Sequence, residues 1–124
     1  MQDVTYPNIT VEKPLVFRHF IQSDREASIL AEYALNELKI KKIGILHVND
    51  EVGVGAKEAF KRLFEEKGGQ VFIVESYGSR DQDMRTQILK IKNQNVEGIY
   101  LFGNGPSWAQ ALKQIKELEF EGKI

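Results

Sequence analysis

Four short polar segments carry the residues best suited to binding a small molecule, and each lies between an apolar run and an amphipathic run. They are Gln22-Ser23-Asp24, residues 49–53, residues 77–80 and residues 103–107. Open α/β sheets bind ligands beyond the carboxyl ends of their strands, where segments of this kind lie. Polar, glycine-containing connections also join strands to helices in any α/β protein. Position alone therefore leaves a binding role and a connecting role equally open.

Nucleotide chemistry is not indicated. Gly53-Val54-Gly55 begins like a dinucleotide-binding loop, but Glu58 stands where the third glycine should be. The Gly103-Asn104-Gly105 segment fails in the same way, with Trp108 at that position. The chain contains no Gly-x-x-x-x-Gly-Lys-Ser/Thr segment for cradling phosphates. We expect no nucleotide cofactor.

Metal and nucleophile chemistry have no support either. His19 and His47 lie in separate apolar runs, there is no cysteine, and no His-x-x-x-His spacing occurs. Packed or strand-edge histidines are the favoured interpretation. Ser79 and Ser107 have no sequence-local partner that would mark a nucleophile, and no Gly-x-Ser-x-Gly elbow is present. We therefore predict no catalytic residues, no metal and no enzymatic activity.

Two aromatic residues lie at the polar segments, Tyr77 and Trp108. Either ring could stack on a ligand or close a cleft. Trp108 also continues the apolar stripe of its amphipathic run, which favours core packing for that residue. Asp50 follows an apolar run as the acceptor of a phospho-receiver domain would, but the acidic pair expected after the first strand is missing.

The composition is that of one ordinary globular domain. The chain has 124 residues, 42% hydrophobic and 28% charged, with 17 basic against 18 acidic residues. This balance gives no reason to expect a nucleic-acid partner. No apolar run is long enough to cross a bilayer, and no signal peptide is visible at the start of the chain.

Apolar runs alternate with amphipathic runs along the sequence. We predict strands at residues 15–20, 43–48, 71–74 and 98–102, after a loose stretch at residues 7–14. Helices should follow the Ser23–Glu26 capping box, the 49–55 turn, Asp83 as N-cap, and the 103–107 turn. Gly68-Gly69 should end the second helix. Lys123-Ile124 has the look of a further strand beginning, so the chain is expected to belong to something longer.

This alternation predicts βαβ units. The fold class is α/β: a three-layer, Rossmann-like or flavodoxin-like lobe with a parallel sheet of about five strands and helices on both faces. Residues 1–124 should form a single lobe of this kind.

An ordered set of motifs resembles the type I periplasmic binding proteins, in particular their leucine/isoleucine/valine-binding and extracellular ligand-binding receptor group. Val16-Phe17-Arg18 with Gln22-Ser23-Asp24 is similar to the entry to the second lobe. Lys42 to Leu46 with Asn49-Asp50-x-x-Gly53-x-Gly55 is similar to the next strand and turn. The match continues in order through Gly68-Gly69-x-Val71, Asp83, residues 97–101 and residues 114–118. No single motif is specific, but their order from Leu15 onward is.

The resemblance implies a second-lobe fragment of a protein that traps a ligand between two lobes. Asp24 would face a ligand ammonium group, although a role at its helix N-terminus is equally open. Val52 stands where many relatives carry a tyrosine that closes over the ligand, and Asn104 and Gly105 stand where some carry aromatics. The ligand-binding residues expected from the motifs and the resemblance together are Asp24, Asn49, Asp50, Val52, Tyr77, Asn104 and Gly105.

The function that the resemblance implies is the solute-binding component of an ABC-type importer for branched-chain amino acids or related small molecules. Its partners would be that ligand, the missing first lobe and a membrane permease, and the full-length protein would be periplasmic or extracellular, with a lipid anchor also compatible. Bare sheet edges would favour dimers of the fragment. The alternatives are a ligand-sensing domain of a receptor or regulator, and a flavodoxin-like or receiver domain.

Overall fold

The computed structural model describes residues 9–12, 16–19, 24–103 and 105–118, with side chains from Ala27 to Gly103 and from Pro106 onward. It contains a five-stranded sheet in the order β1-β2-β5-β3-β4. The strands are β1 (Ile9–Glu12), β2 (Val16–His19), β3 (Lys42–Val48), β4 (Gln70–Tyr77) and β5 (Gly98–Phe102). The last four run parallel to one another, which confirms the predicted α/β class.

In the described part of the chain, four α-helices cover the sheet: α1 (Asp24–Glu32), α2 (Glu51–Glu66), α3 (Arg85–Lys92) and α4 (Gly105–Glu117). The chain moves outward from β3 to β4 and then back across β3 to β5. Since right-handed crossovers in opposite directions place their helices on opposite faces, α2 and α3 lie on different sides. Helix α1 packs on α2, and α4 packs on α3. The expected three layers are therefore present.

The first edge strand corrects one expectation. Residues 9–12 form β1, which pairs antiparallel with β2 through Ile9↔His19 and Glu12↔Val16, whereas residues 7–14 were expected to be loose. The segment carries an alternating β-branched run, Ile9-Thr10-Val11, which suits a strand once β2 offers a partner. The further strand expected at Lys123-Ile124 lies outside the described residues.

Element ends also differ from prediction. Strand β4 continues through Tyr77, beyond residues 71–74, because β3 pairs with it as far as Val48↔Tyr77. The N-cap position of α3 is Met84 rather than Asp83, whose Oδ1 instead accepts a hydrogen bond from Arg85 N at 3.1 Å. Helix α1 runs into a π-helical turn, Tyr33–Glu37, that its periodicity did not indicate.

The core lies on both faces of β3 and β5. On the α2 face, the Phe60 ring stacks on Tyr100 with centroids 4.2 Å apart and on Phe64 at 5.2 Å. On the α3 face, Gly44 leaves room for Ile91, whose Cγ2 would lie 2.7 Å from a β-carbon at residue 44. Both faces of β3 are thus closed to solvent, as its continuous apolar run predicts. In the described part of the chain no helix combines the length and apolarity that a bilayer span needs.

Candidate functional site

Strands β3, β4 and β5 end at one level, and this aligns their connections to the following helices. Val48 is paired with Tyr77, and His47 with Phe102. The pairing of β3 with β4 is extended by one more bond, from Asn49 N to Tyr77 O at 2.7 Å. Asn49, Gly78 and Gly103 therefore follow directly from the same edge of the sheet. We call this edge, with the connections that leave it, the carboxyl edge.

The connection from β3 to α2 is tightly built. Asp50 is the N-cap of α2, and its Oδ1 accepts a hydrogen bond from Gly53 N at 2.7 Å. A β-carbon at Gly53 would overlap the carbonyl oxygen of Val48, so only glycine lets the helix start this close to the strand. Asp50 remains exposed and presents its negative charge at the carboxyl edge. Its capping role is visible, and its predicted contact with a ligand stays a prediction.

The same connection presents an apolar surface beside that charge. Val52, the second residue of α2, is 56% exposed, and Asn49 is exposed as well. The carboxyl edge therefore carries the carboxylate of Asp50, the amide of Asn49 and the small apolar surface of Val52 close together at the start of α2. This combination fits a small molecule that has both a cationic and an apolar part.

Tyr77 lies beneath the carboxyl edge rather than on it. Its side chain is 2% exposed, and its hydroxyl donates to the carbonyl oxygen of Phe102 at 3.1 Å, across the end of β3. Burial, and secondarily the negative charge of Asp50, raise the pKa of Tyr77, so the hydroxyl stays protonated as a donor. The expectation that Tyr77 begins a loop is wrong. Its role as a ligand contact stays a prediction, while the structure shows it tying β4 to β5.

Three expected site residues are described in part or not at all. Asp24 is the first residue of α1 and Gly105 the first residue of α4, which places both at helix starts. The side chain of Asp24 and the whole of Asn104 lie outside the described residues. Their proposed contacts with ligand remain predictions from the resemblance.

One positioning residue escaped the sequence reasoning. Gln114 on α4 is 1% exposed; its Oε1 accepts from Met84 N at 2.7 Å and its Nε2 donates to Gln82 O at 2.8 Å. It thereby holds the connection from β4 to α3 against α4. A signal was present, because Gln114 is a polar residue three positions after Ala111 and four before Leu118, on the apolar stripe of its helix.

The histidine and tryptophan expectations are confirmed where the structure describes them. His47 is buried, burial lowers its pKa, and its Nδ1–H donates to the carbonyl oxygen of Val48 at 2.9 Å. It is therefore a neutral, packed histidine. Trp108 is partly buried and packs against the core. Among the described residues no group of three or more histidine, aspartate or glutamate side chains could hold a metal ion.

The sequence profile of the periplasmic binding protein family matches residues 5–124. The chain belongs to this family. An amino acid binding protein of Pseudomonas aeruginosa is 26% identical over 115 residues, which cover 91% of this chain and 30% of that protein. The family is one of solute-binding proteins, and its name confirms the resemblance drawn from the ordered motifs.

Solved structures agree with the fold. A leucine binding protein from Thermotoga maritima superposes with a TM-score of 0.74 at 29% identity, over 80% of this chain and 28% of that one. A type 1 periplasmic binding protein from Bordetella pertussis gives 0.75 at 28% identity, over 82% and 27%. The chain thus spans less than a third of the length of each of these periplasmic binding proteins.

Proposed function

We propose that this chain is one lobe of the solute-binding component of an ABC-type importer, and that it has no enzymatic activity. In the full-length protein it would close with a second lobe on a branched-chain amino acid or a related small molecule. The observation that carries the proposal is the family match over residues 5–124. The carboxyl edge supports it, because β3, β4 and β5 end at one level and polar connections leave all three strands there. Two of the similar proteins are named for amino acid and leucine binding.

Closure of a cleft is the mechanism that this architecture supports. A ligand that touches both lobes only in the closed state raises the population of that state. The lobe should then present its groups with little rearrangement. The Asp50 cap on α2, the close approach at Gly53 and the Tyr77 bond to Phe102 support a rigid edge, which lowers the entropy lost on binding.

The groups at the edge suit a zwitterion with an apolar side chain. In the resemblance Asp24 faces the ammonium group, and the exposed carboxylate of Asp50 adds negative charge at the same edge. Val52 offers apolar contact where many relatives carry a tyrosine. The carboxylate of the ligand would be held by the first lobe, so this chain alone should bind weakly.

The full-length protein would then work outside the cytoplasmic membrane, in the periplasm or at the cell surface, with a permease as its partner. Among the described strands β4 is an edge whose outer side carries no further strand. Pairing through that edge would account for dimers of the fragment, which remains a prediction.

Isothermal calorimetry on the full-length protein tests the proposal, with a panel of amino acids and small carboxylates. We expect a micromolar ligand, weakened about tenfold or more by Asp24→Ala because a charge-assisted hydrogen bond is lost. Glu66→Gln, at the exposed far end of α2, is the matched control and should change nothing.

A second pair of variants separates ligand binding from capping at Asp50. Asparagine is as good an N-cap as aspartate, so Asp50→Asn should leave stability nearly unchanged and weaken binding if the charge contacts ligand. Asp50→Ala should lower the stability and also weaken ligand binding. Binding indifferent to Asp24 and Asp50 would retain the solute-binding role and reject these contacts. No binding across the panel would reject an amino-acid importer in favour of a receptor for other ligands.

A further inference from the structure

The charges of the four α-helices are divided between the two sides of the sheet. Helices α3 and α4, on one side, carry five basic residues and one acidic residue. Helices α1 and α2, on the other side, carry four basic and seven acidic residues. The whole chain has 17 basic and 18 acidic residues, so this division is not apparent from the net charge. We call the outer surface of α3 and α4 the basic face, since a field of one sign over a surface directs association.

The basic face is made mainly of lysine. Its five cations are all exposed: Arg85, Lys90, Lys92, Lys113 and Lys116. Two carboxylates border it, and both lie near Arg85, whose guanidinium nitrogens are 3.3 Å from Asp83 Oδ1 and 3.6 Å from Glu117 Oε1. Glu117 Oε2 also lies 4.0 Å from Lys113 Nζ. Two acidic side chains beside five basic ones leave a surplus of positive charge among the described residues of this face.

The two helices form one continuous surface. Lys92 Nζ on α3 donates to Leu118 O at the end of α4 at 2.8 Å. The buried Gln114 of α4 accepts from Met84 N, directly before α3, at 2.7 Å. Leu89 lies on α3 beside Lys90 and is 42% exposed. Lysines around an exposed leucine suit the headgroup layer of a bilayer, where the apolar group enters the interface and the ammonium groups stay in water.

The composition of the basic face favours a lipid surface over a protein partner. Protein interfaces are depleted in lysine and enriched in arginine, whose planar guanidinium binds carboxylates in a fixed geometry. The basic face has four lysines and one arginine. An anionic bilayer spreads its charge over many headgroups, so it attracts flexible lysine side chains without requiring a fixed geometry.

A second copy of the chain is a poorer occupant. Its acidic α1–α2 side would complement the charge of the basic face. Such a contact joins two different surfaces, so it would build open-ended chains unless the rotation happened to close a ring. A two-fold dimer through α3 and α4 would instead bring like charges together.

We propose that the basic face binds an anionic lipid bilayer, with the lysines of α3 and α4 over the headgroup phosphates and Leu89 at the interface. Lys90, Lys92 and Lys116 lie in the last turns of their helices, away from the carboxyl edge where the helices begin. The proposal therefore does not use the ligand site and does not rest on the proposed import function.

Sedimentation with lipid vesicles tests the proposal, with the full-length protein expressed in the cytoplasm so that no lipid is attached to it. The vesicles contain phosphatidylglycerol and phosphatidylcholine in equal parts, and pure phosphatidylcholine vesicles are the lipid control. We expect binding to the anionic vesicles only. The binding should be lost between about 0.01 M and about 0.5 M NaCl, because the Debye length falls from about 30 Å to about 4 Å.

A pair of double variants locates the binding surface. Lys90→Gln with Lys113→Gln should weaken binding to anionic vesicles roughly 30-fold, at about fivefold per lysine. Lys61→Gln with Arg62→Gln is the matched control: it removes the same charge from α2, on the other side of the sheet, and should change binding less than about twofold. None of the four side chains is buried, so thermal denaturation should give the same Tm for both double variants as for the parent.

Five results would overturn the proposal. Equal losses of binding in the two double variants would show that only the net charge matters. Equal binding to pure phosphatidylcholine vesicles, or no binding to anionic vesicles at about 0.01 M NaCl, would remove the lipid headgroups as the ligand. Tighter binding to soluble polyglutamate than to vesicles would assign the basic face to an acidic protein. Self-association in sedimentation equilibrium that either double variant abolishes would assign it to a second copy of the chain.

Discussion

The contact between Tyr77 and Gly103 allows a double-mutant cycle to test how the carboxyl edge is held together. Tyr77→Phe removes one buried hydrogen bond, the one to Phe102 O, and should lower the free energy of unfolding by about 0.5–1.5 kcal/mol. Gly103→Ala would place a β-carbon against the Tyr77 hydroxyl oxygen, in a backbone conformation with φ of 155° that L-residues rarely adopt. Overpacking and backbone strain together should cost about 2–4 kcal/mol.

The two changes should not add. Once Tyr77 is phenylalanine, the nearest atoms to the new β-carbon are the ring Cζ at 3.3 Å and Trp108 Cδ1 at 3.4 Å, which small shifts accommodate. The steric part of the Gly103→Ala cost then largely disappears, while the backbone part persists. The double variant should be more stable than the sum of the single changes by about 1–2 kcal/mol.

Urea denaturation followed by circular dichroism measures each corner of the cycle. Tyr100→Phe provides the matched control: Tyr100 is also buried, but its ring stacks on Phe60 of α2, on the other face of the sheet from α4. Its combination with Gly103→Ala should be additive. If Tyr77→Phe and Gly103→Ala also add to within about 0.5 kcal/mol, the close contact between the two residues is refuted.

Three further predictions concern stability. Because burial lowers the pKa of His47, the stability that its neutral form contributes is present above about pH 6.5 and is lost as the pH falls. The free energy of unfolding should therefore decrease on acidification, and urea titrations should show a smaller decrease for His47→Gln. Gln114→Leu should lower the free energy of unfolding by roughly 2–4 kcal/mol, since Met84 N and Gln82 O both lose their hydrogen bond to the buried Gln114 side chain. A decrease of less than about 1 kcal/mol would contradict a stabilising role for these two hydrogen bonds. Lys39 has a left-handed φ of 58°, so Lys39→Gly should stabilise by about 0.5–1 kcal/mol in thermal denaturation, and a loss of stability would argue against that conformation.

Local burial patterns were enough to predict most of the fold. The run at residues 98–102 is β5 to the residue, because a strand buried on both faces needs continuous apolar side chains. Gly68, with φ of 104°, follows the end of α2 as a C-terminal stop should. The class of proteins also followed from sequence, since each strand-turn-helix unit keeps its own motif and the motifs occur in a diagnostic order.

The limits of the two edge strands, β1 and β4, could not be predicted from local burial patterns. Strand β1 has only four residues, and it is a strand because β2 offers it hydrogen bonds. Strand β4 likewise extends to Tyr77 only because β3 runs beside it that far. Strand limits depend on the length of the neighbouring strand, which no local pattern records.

What the sequence determined by itself was the alternation of elements, the buried faces and the polar character of each connection. Tertiary structure decided which of those polar groups meet. Tyr77 and Phe102 are 25 positions apart, and Gln114 and Met84 are 30 apart. Whether such groups come within hydrogen-bonding distance depends on strand register and helix placement, which the periodicity of side chains does not determine. For that reason the sequence indicated a binding edge, and only the fold revealed the tyrosine beneath it.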